Sequence, residues 1–167
     1  MEDLKGTMET DLKRGHKGEA IAIRYLEERL SAHQVFQVDG YFPPYDLFAV
    51  FQNGKELRVE VKIDYKCATT GNIAIEYRHN SGFSGVIRSK ADMYIIIAKG
   101  KLLAMDKEYL LAFLGCEDFR EVDGGDGDKS TFILVPFDRL VSEEFVTVWD
   151  YTKKVTAETS PVYLHEL

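Results

Sequence analysis

The sequence predicts an α/β (α+β) domain, a central mixed β-sheet flanked by helices, with a first helix ahead of a β-meander. An apolar stripe at helical spacing (Ile23, Leu26, Leu30) marks that helix. Asn53-Gly54 separates two strand-like runs, 46–52 and 55–64, which is a strong hairpin signal. MYIIIA at 93–98 is a short continuous apolar run, as expected of a strand buried on both faces. Neither a GxGxxG nor a P-loop pattern occurs, and there is no internal repeat.

The first helix is expected over about 11–30, with Ile21, Ala22 and Tyr25 flanking the stripe. Going backwards, the stripe reaches Glu19, His16 and Leu12. A carboxylate on or beside an inward face costs free energy unless it is paired, hydrogen-bonded or near a metal. Glu19 at the stripe's edge, reaching solvent or an arginine, satisfies that condition too. VFQV (35–38) reads as a short strand, and Pro43-Pro44 hold the next stretch extended. NIAIEYR (72–78) reads as a third hairpin-connected strand, 81–85 as a loop, and KLLAMD (101–106) as a strand. A short helix follows, capped by Asp106 and stopped at Gly115. Residues 116–130 read as a loop whose DGGDGD has the composition but not the ligand spacing of a calcium loop. A strand at 131–137 and a helix at 138–145 capped by Asp138 complete the core. The last twenty residues, with Trp149, are expected to pack on the outside.

The 167 residues suit one domain, 1–167, with a core over about 11–140 and an acidic C-terminal extension over about 141–167. Net charge is −7, which argues against nonspecific coating of nucleic acid. The charge is uneven. Residues 1–105 hold 15 basic and 14 acidic side chains, and residues 106–167 hold 6 and 14. The balanced part can therefore present a basic groove built from KRGHK (13–17), Arg58, Lys62, Lys66, Arg88 and Lys90, although charge alone describes a scattered solvated surface equally well. Cys67 and Cys116 form neither a CxxC nor a Cys/His pattern, so a disulfide framework and a structural zinc are not expected and a reducing cytoplasm is the default. No apolar run is long enough to cross a bilayer, and the N-terminus lacks the apolar core of a signal peptide, so no membrane partner is expected.

The stretch RVEVKID (58–64) alternates Val59, Val61 and Ile63 with Arg58, Glu60, Lys62 and Asp64. Glu60 and Lys62 share one face, which suits either solvent or an active site. Asp46 opens the preceding strand, and the chain returns past it across the hairpin. Two carboxylates on neighbouring strands, with a lysine two residues after the second, suit phosphodiester hydrolysis. Hard oxygen ligands hold Mg²⁺ or Mn²⁺. The metal stabilises phosphate charge and lowers the pKa of a bound water, and an ammonium alongside offsets developing charge.

PYD (44–46), a hairpin, then EVK (60–62) resembles the motif of the PD-(D/E)xK nuclease superfamily. The Glu19 helix before the motif strands, and TGNIAIEY…SGVIRSKADMYIII after them, are similar to archaeal-type Holliday junction resolvases and related phage and bacterial endonucleases. The resemblance covers roughly residues 11–100. It implies a restriction-endonuclease-like fold and Mg²⁺- or Mn²⁺-dependent hydrolysis of DNA, structure-selective for branched substrates, by a homodimer. Asp46, Glu60 and the Val61 carbonyl would hold the metal, Glu19 would be a direct or outer-shell partner, and Lys62 would act on the water. Glu76, Lys66, Arg88, Ser89 and Lys90 are candidate accessory or DNA-contacting residues; for Glu76 a solvent-facing strand position explains the residue equally well. The alternatives are a non-catalytic nucleic-acid-binding or assembly module on the same fold, and a small α+β domain whose EVK is a solvated strand face.

The hairpin decides whether the carboxylates meet. With a two-residue Asn53-Gly54 turn, Asp46 pairs with Val61 and points away from Glu60 and Lys62. A bulge or a longer turn within 46–62 is expected instead; a three-residue loop with a bulge at Gly54 would bring Asp46 opposite Lys62 and Glu60 opposite Phe48.

Overall fold

The computed structural model describes residues 3–40, 43–125, 127 and 129–153, with side chains in the first helix described from Gly15 onward. The helix α1 runs Asp3–Glu28, earlier at its start than the apolar stripe indicates. Three strands follow as a meander, β1 (Gln34–Gln37), β2 (Leu47–Val50) and β3 (Glu56–Ile63). Next come α2 (Cys67–Thr70), β4 (Asn72–His79), β5 (Gly82–Phe83) and α3 (Gly85–Arg88). The remainder is β6 (Met93–Ala98), β7 (Lys101–Asp106), α4 (Lys107–Cys116), β8 (Arg120–Gly124), β9 (Ser130–Pro136), α5 (Phe137–Val141) and β10 (Thr147–Trp149).

The central sheet has the order β1-β2-β3-β6-β7-β10. It is mixed: β3 and β6 are parallel and the other neighbours antiparallel. Every residue of β6 is buried, because its odd and even side chains feed different cores. Met93, Ile95 and Ile97 join Val59, Val61, Leu47 and Ala49 beneath α1, where Ile21, Ala22, Tyr25 and Leu26 pack. Gly18 lets α1 approach Val61 and Ile63 closely. Tyr94, Ile96 and Ala98 join the opposite core, shared with β4, β9, α4 and α5. Fully burying each such aliphatic side chain is worth about 1.5–3 kcal/mol, so strand parity is strongly specified on both faces.

Four expectations need correction. The chain does not continue its meander through β4, which belongs to a second sheet of order β5-β4-β9-β8. Asp64 turns the chain off the central sheet, its carboxylate accepting from the amides of Cys67 (2.9 Å) and Ala74 (2.8 Å), and the wholly buried β6 takes the place beside β3. Residues 116–130 are not one loop: Arg120–Gly124 pairs with β9, Val122 opposite Phe132. The stretch expected to be a loop at 81–85 contributes β5 and the start of α3. Trp149 is not an outside packer. As part of β10 it joins the sheet against β7 and lies buried 5.7 Å from the Tyr25 ring, with Arg24 at 5.4 Å over its own.

Smaller shifts occur at helix ends. Asp106 caps α4 as expected, accepting from Glu108 (2.7 Å) and Tyr109 (3.3 Å), but the helix passes Gly115 to Cys116. Pro136 rather than Asp138 stands at the α5 cap, and Asp138 lies in the first turn. Residues 154–167 of the expected acidic extension, and the side chains of Leu12, Lys13 and Arg14, lie outside the described residues. Among the described residues no helix is long and apolar enough to cross a membrane.

Two glycines test this packing. Gly54 has φ 81° and open space where a Cβ would stand, whereas Gly85 has φ 50° and a Cβ there would overlap the Glu76 carbonyl. Gly54→Ala should therefore cost about 1 kcal/mol, and Gly85→Ala about 3 kcal/mol, because backbone strain and steric overlap add. Urea unfolding checks the order; equal costs would contradict the close approach of α3 to β4.

Candidate active site

The site starts at a turn. Phe51 and Lys55 close the β2–β3 hairpin (N···O 2.9 Å), and the Gly54 amide donates back to the Phe51 carbonyl (2.9 Å). The loop therefore contains Gln52, Asn53 and Gly54, with glycine supplying the left-handed residue. Asn53 accepts from the Lys55 amide at 2.9 Å. Leu47 then pairs with Val59 and Phe48 with Arg58. The expected three-residue turn forms and gives the expected parity, but the pairing differs by two residues. Phe48 stands opposite Arg58, not Glu60, and the pairing ends with Leu47 opposite Val59, so Asp46 meets Val59 and Val61 through hydrogen bonds and does not stand opposite Lys62. The difference arises because the loop is Gln52–Gly54, closed by Phe51 and Lys55, one residue earlier than the 53–55 loop that pairing Asp46 with Lys62 requires.

Asp46 lies just before β2, anchored through its amide to the Val59 carbonyl and through its own carbonyl to the Val38 amide, both 2.9 Å. Its Oδ2 accepts from the Val61 amide at 2.7 Å. In an extended strand the amide and carbonyl of one residue point to the same side. The Val61 carbonyl therefore projects toward Asp46, past the start of β2. Glu60 is 8% exposed. Its Oε1 meets Lys62 Nζ at 2.6 Å, and its Oε2 accepts from Ser89 Oγ at 3.0 Å. Asp46, Glu60, Lys62 and Ser89 thus come together.

Burial raises the Glu60 pKa above the ordinary carboxyl range. Lys62 works in the opposite direction, and the like charge of Asp46 adds to the rise. For Lys62, burial works against the charge, but Tyr94 and the carboxylates Glu60 and Asp46 outweigh it and hold the ammonium protonated. Half of the Lys62 side-chain surface nevertheless remains open to solvent. A lysine so held donates and stabilises negative charge; it is not a base at neutral pH.

Two contributors, Tyr94 and Lys107, and one backbone tie lay outside the sequence reading. Tyr94 pairs with Glu60 across the parallel β3–β6 ladder, and burial drives its hydroxyl pKa upward. Its signal was the lone polar tip inside MYIIIA. Lys107 is largely buried and donates to the Ser89 carbonyl at 2.7 Å. The Lys90 amide donates to the Pro44 carbonyl at 2.9 Å, so the 89–90 segment and the approach to Asp46 are tied together. Neither contact leaves a local sequence pattern.

The remaining candidates lie elsewhere. Glu19 accepts from Gln37 at 2.7 Å and stands 3.7 Å from His16. Gln37 is paired with Leu47, whose side chain enters the core beneath α1, so the structure holds Glu19 on the α1 face, across the sheet from Glu60. Glu76 accepts from Ser84 Oγ at 2.7 Å and acts on Tyr94 through its charge. Lys66 is exposed before α2, Arg88 is exposed at the end of α3, and Lys90 is an exposed neighbour of Ser89. Among the described residues, no group of three or more His, Cys, Asp or Glu side chains is arranged to hold a metal ion. The oxygen donors that converge are two carboxylates and the Val61 carbonyl.

Two carboxylates should show opposite pH linkage. The raised Glu60 pKa means that its stabilising contribution is complete below the unfolded value of about 4.3 and is lost as pH rises through the folded value. The hydrogen bond from Arg58 lowers the Asp92 pKa, so that contribution is complete above about 3.9 and lost as pH falls through the folded value. Urea midpoints from pH 3 to 8 should show that Glu60→Gln gains on the wild type as pH rises, while Asp92→Asn falls behind it; parallel curves would contradict both shifts. Comparison with known proteins found no matching family model, no matching curated protein and no matching solved structure.

Proposed function

We propose that the chain is a metal-dependent nuclease that hydrolyses DNA phosphodiester bonds on a restriction-endonuclease-like arrangement of its central sheet, with branched DNA as substrate. The observation that carries the reading is the convergence of Asp46, Glu60 and Lys62 on one sheet face, at the end of β2 where the Val61 carbonyl is directed. Two facing carboxylates and a carbonyl are hard oxygen donors, the type preferred by Mg²⁺ or Mn²⁺. Their mutual repulsion, which contributes to the raised Glu60 pKa, is what a bound cation relieves. When bound, such a cation supplies Lewis acidity to the phosphate and a more acidic water.

The chain's own groups have separable tasks. Asp46 and Glu60 supply the fixed negative charge. Lys62 stabilises the charge that grows on a non-bridging oxygen while water bonds to phosphorus and the ester P–O bond breaks. Ser89 orients Glu60 and is itself held by the Ala91 amide at 3.2 Å. Paired cuts at a junction require two symmetric sites, and a homodimer supplies them. One observation favours a non-catalytic binding or assembly module instead: both Glu60 oxygens already have protein partners, Lys62 and Ser89.

Cleavage of linear, flapped and four-way DNA with Mg²⁺ or Mn²⁺ separates the two. Asp46→Asn and Lys62→Ala should each lower the rate by about 100-fold or more, while Glu19→Gln, remote from the group, should change it by less than about tenfold. DNA binding without cleavage of any substrate with either metal would support the non-catalytic module.

A further inference from the structure

Beside the carboxylate group lies an open groove lined by Tyr45, Phe48, Glu56, Arg58 and Asp92, with a volume of ≈ 400 Å³. It is continuous with the candidate active site: Tyr45 precedes Asp46, and Glu56, Arg58, Glu60 and Lys62 share one face of β3. Arg58 and Glu60 are two residues apart, about 6.6 Å along the strand, a step comparable with one nucleotide of an extended chain. We propose that this groove holds an unpaired nucleobase next to the scissile phosphate, making the substrate DNA with a single-stranded or splayed nucleotide at the cut. The inference rests on the nuclease reading and narrows its substrate class.

The chemistry of the lining favours a base over a phosphate. The Arg58 fork is filled by Asp92, Nε–Oδ2 at 2.9 Å and Nη2–Oδ1 at 2.6 Å, and Asp92 also accepts from the Arg58 amide at 2.9 Å. The guanidinium is therefore neutralised and fixed as a flat surface. Glu56 adds a second carboxylate, so one cation faces two anions and a phosphate is repelled. Tyr45 and Phe48 present ring faces with centroids 6.4 Å apart, tilted by 34°. Aromatic rings and a fixed guanidinium plane are the surfaces on which unpaired bases stack. A base inside a duplex stack does not offer its face to such a groove. Glu56 accepts hydrogen bonds only, so it favours bases with an exocyclic amino group over thymine, whose single imide N–H lies between two carbonyls that repel the carboxylate.

A ten-nucleotide single strand carrying one 2-aminopurine among thymidines tests this in EDTA, where binding is measured without cleavage. Quenching of the 2-aminopurine is expected, with affinity about tenfold weaker for Tyr45→Leu and for Phe48→Leu, and the same loss when the base is replaced by an abasic site in the wild type. Glu56→Gln, at an exposed position, should narrow the preference for 2-aminopurine over thymine. An abasic strand that binds as tightly as the 2-aminopurine strand would overturn the proposal, as would leucine variants that melt like the wild type and bind unchanged. If the leucine variants fail to fold, the abasic strand and Glu56→Gln still decide. Quenching without cleavage by the wild type in Mg²⁺ would overturn the nuclease reading alone, and cleavage without quenching would overturn the base site alone.

Discussion

The three-residue turn Gln52–Gly54 sets the parity of β2 against β3, and the carboxylate group depends on that parity. A side-chain period of two means that a one-residue slip would turn Leu47 and Ala49 out of the core beneath α1 and carry Asp46 away from Glu60. The apolar core and the polar site therefore select the same register. Burial of Leu47, Ala49, Val59 and Val61 stabilises the arrangement that also brings two like charges together. The electrostatic cost of the site is offset by apolar burial on the reverse side of the same strands.

That cost is partly met locally. Glu60 has lost most of its water, which raises its pKa, and Lys62 and Ser89 replace the lost hydrogen bonds. Ser89 is held in turn by the Ala91 amide, and its carbonyl by the buried end of Lys107. The Arg58–Asp92 pair, two residues back along β3 on the same face, has the opposite character: a complementary pair that stabilises both charges. Along a single strand face the surroundings thus change from a neutralised planar surface at Arg58 to a strained carboxylate at Glu60. The proposed base site and the proposed cation site rest on this gradient.

Much of this was legible in sequence because it follows local periodicity. β6 and β7 match the expected 93–98 and 101–106 residue for residue, since continuous apolar runs bounded by turn residues leave little choice. The Asn53-Gly54 signal located the hairpin, and the need for Asp46 to share a face with Glu60 pointed to a three-residue loop. What was not legible depends on long-range pairing. Nothing near NIAIEYR says that its partner is β9, about 60 residues away, rather than β3. Trp149 looked peripheral because β10 is only three residues long and gains its burial from β7 and Tyr25. Glu19 lay on the inward stripe as read, but that stripe faces the α1 side of the sheet, where Gln37 engages the carboxylate. Tyr94 and Lys107 joined the site through strand order, which no local pattern encodes.

The central claim is that register brings Asp46 and Glu60 into one cation-binding group. The most direct measurement is Mn²⁺ binding by electron paramagnetic resonance on the purified chain, without DNA. The account predicts one bound ion per chain at millimolar Mn²⁺ or below, lost in both Asp46→Asn and Glu60→Gln and retained in Glu19→Gln. Binding that survives either carboxylate substitution, or no binding by the wild type, would contradict it.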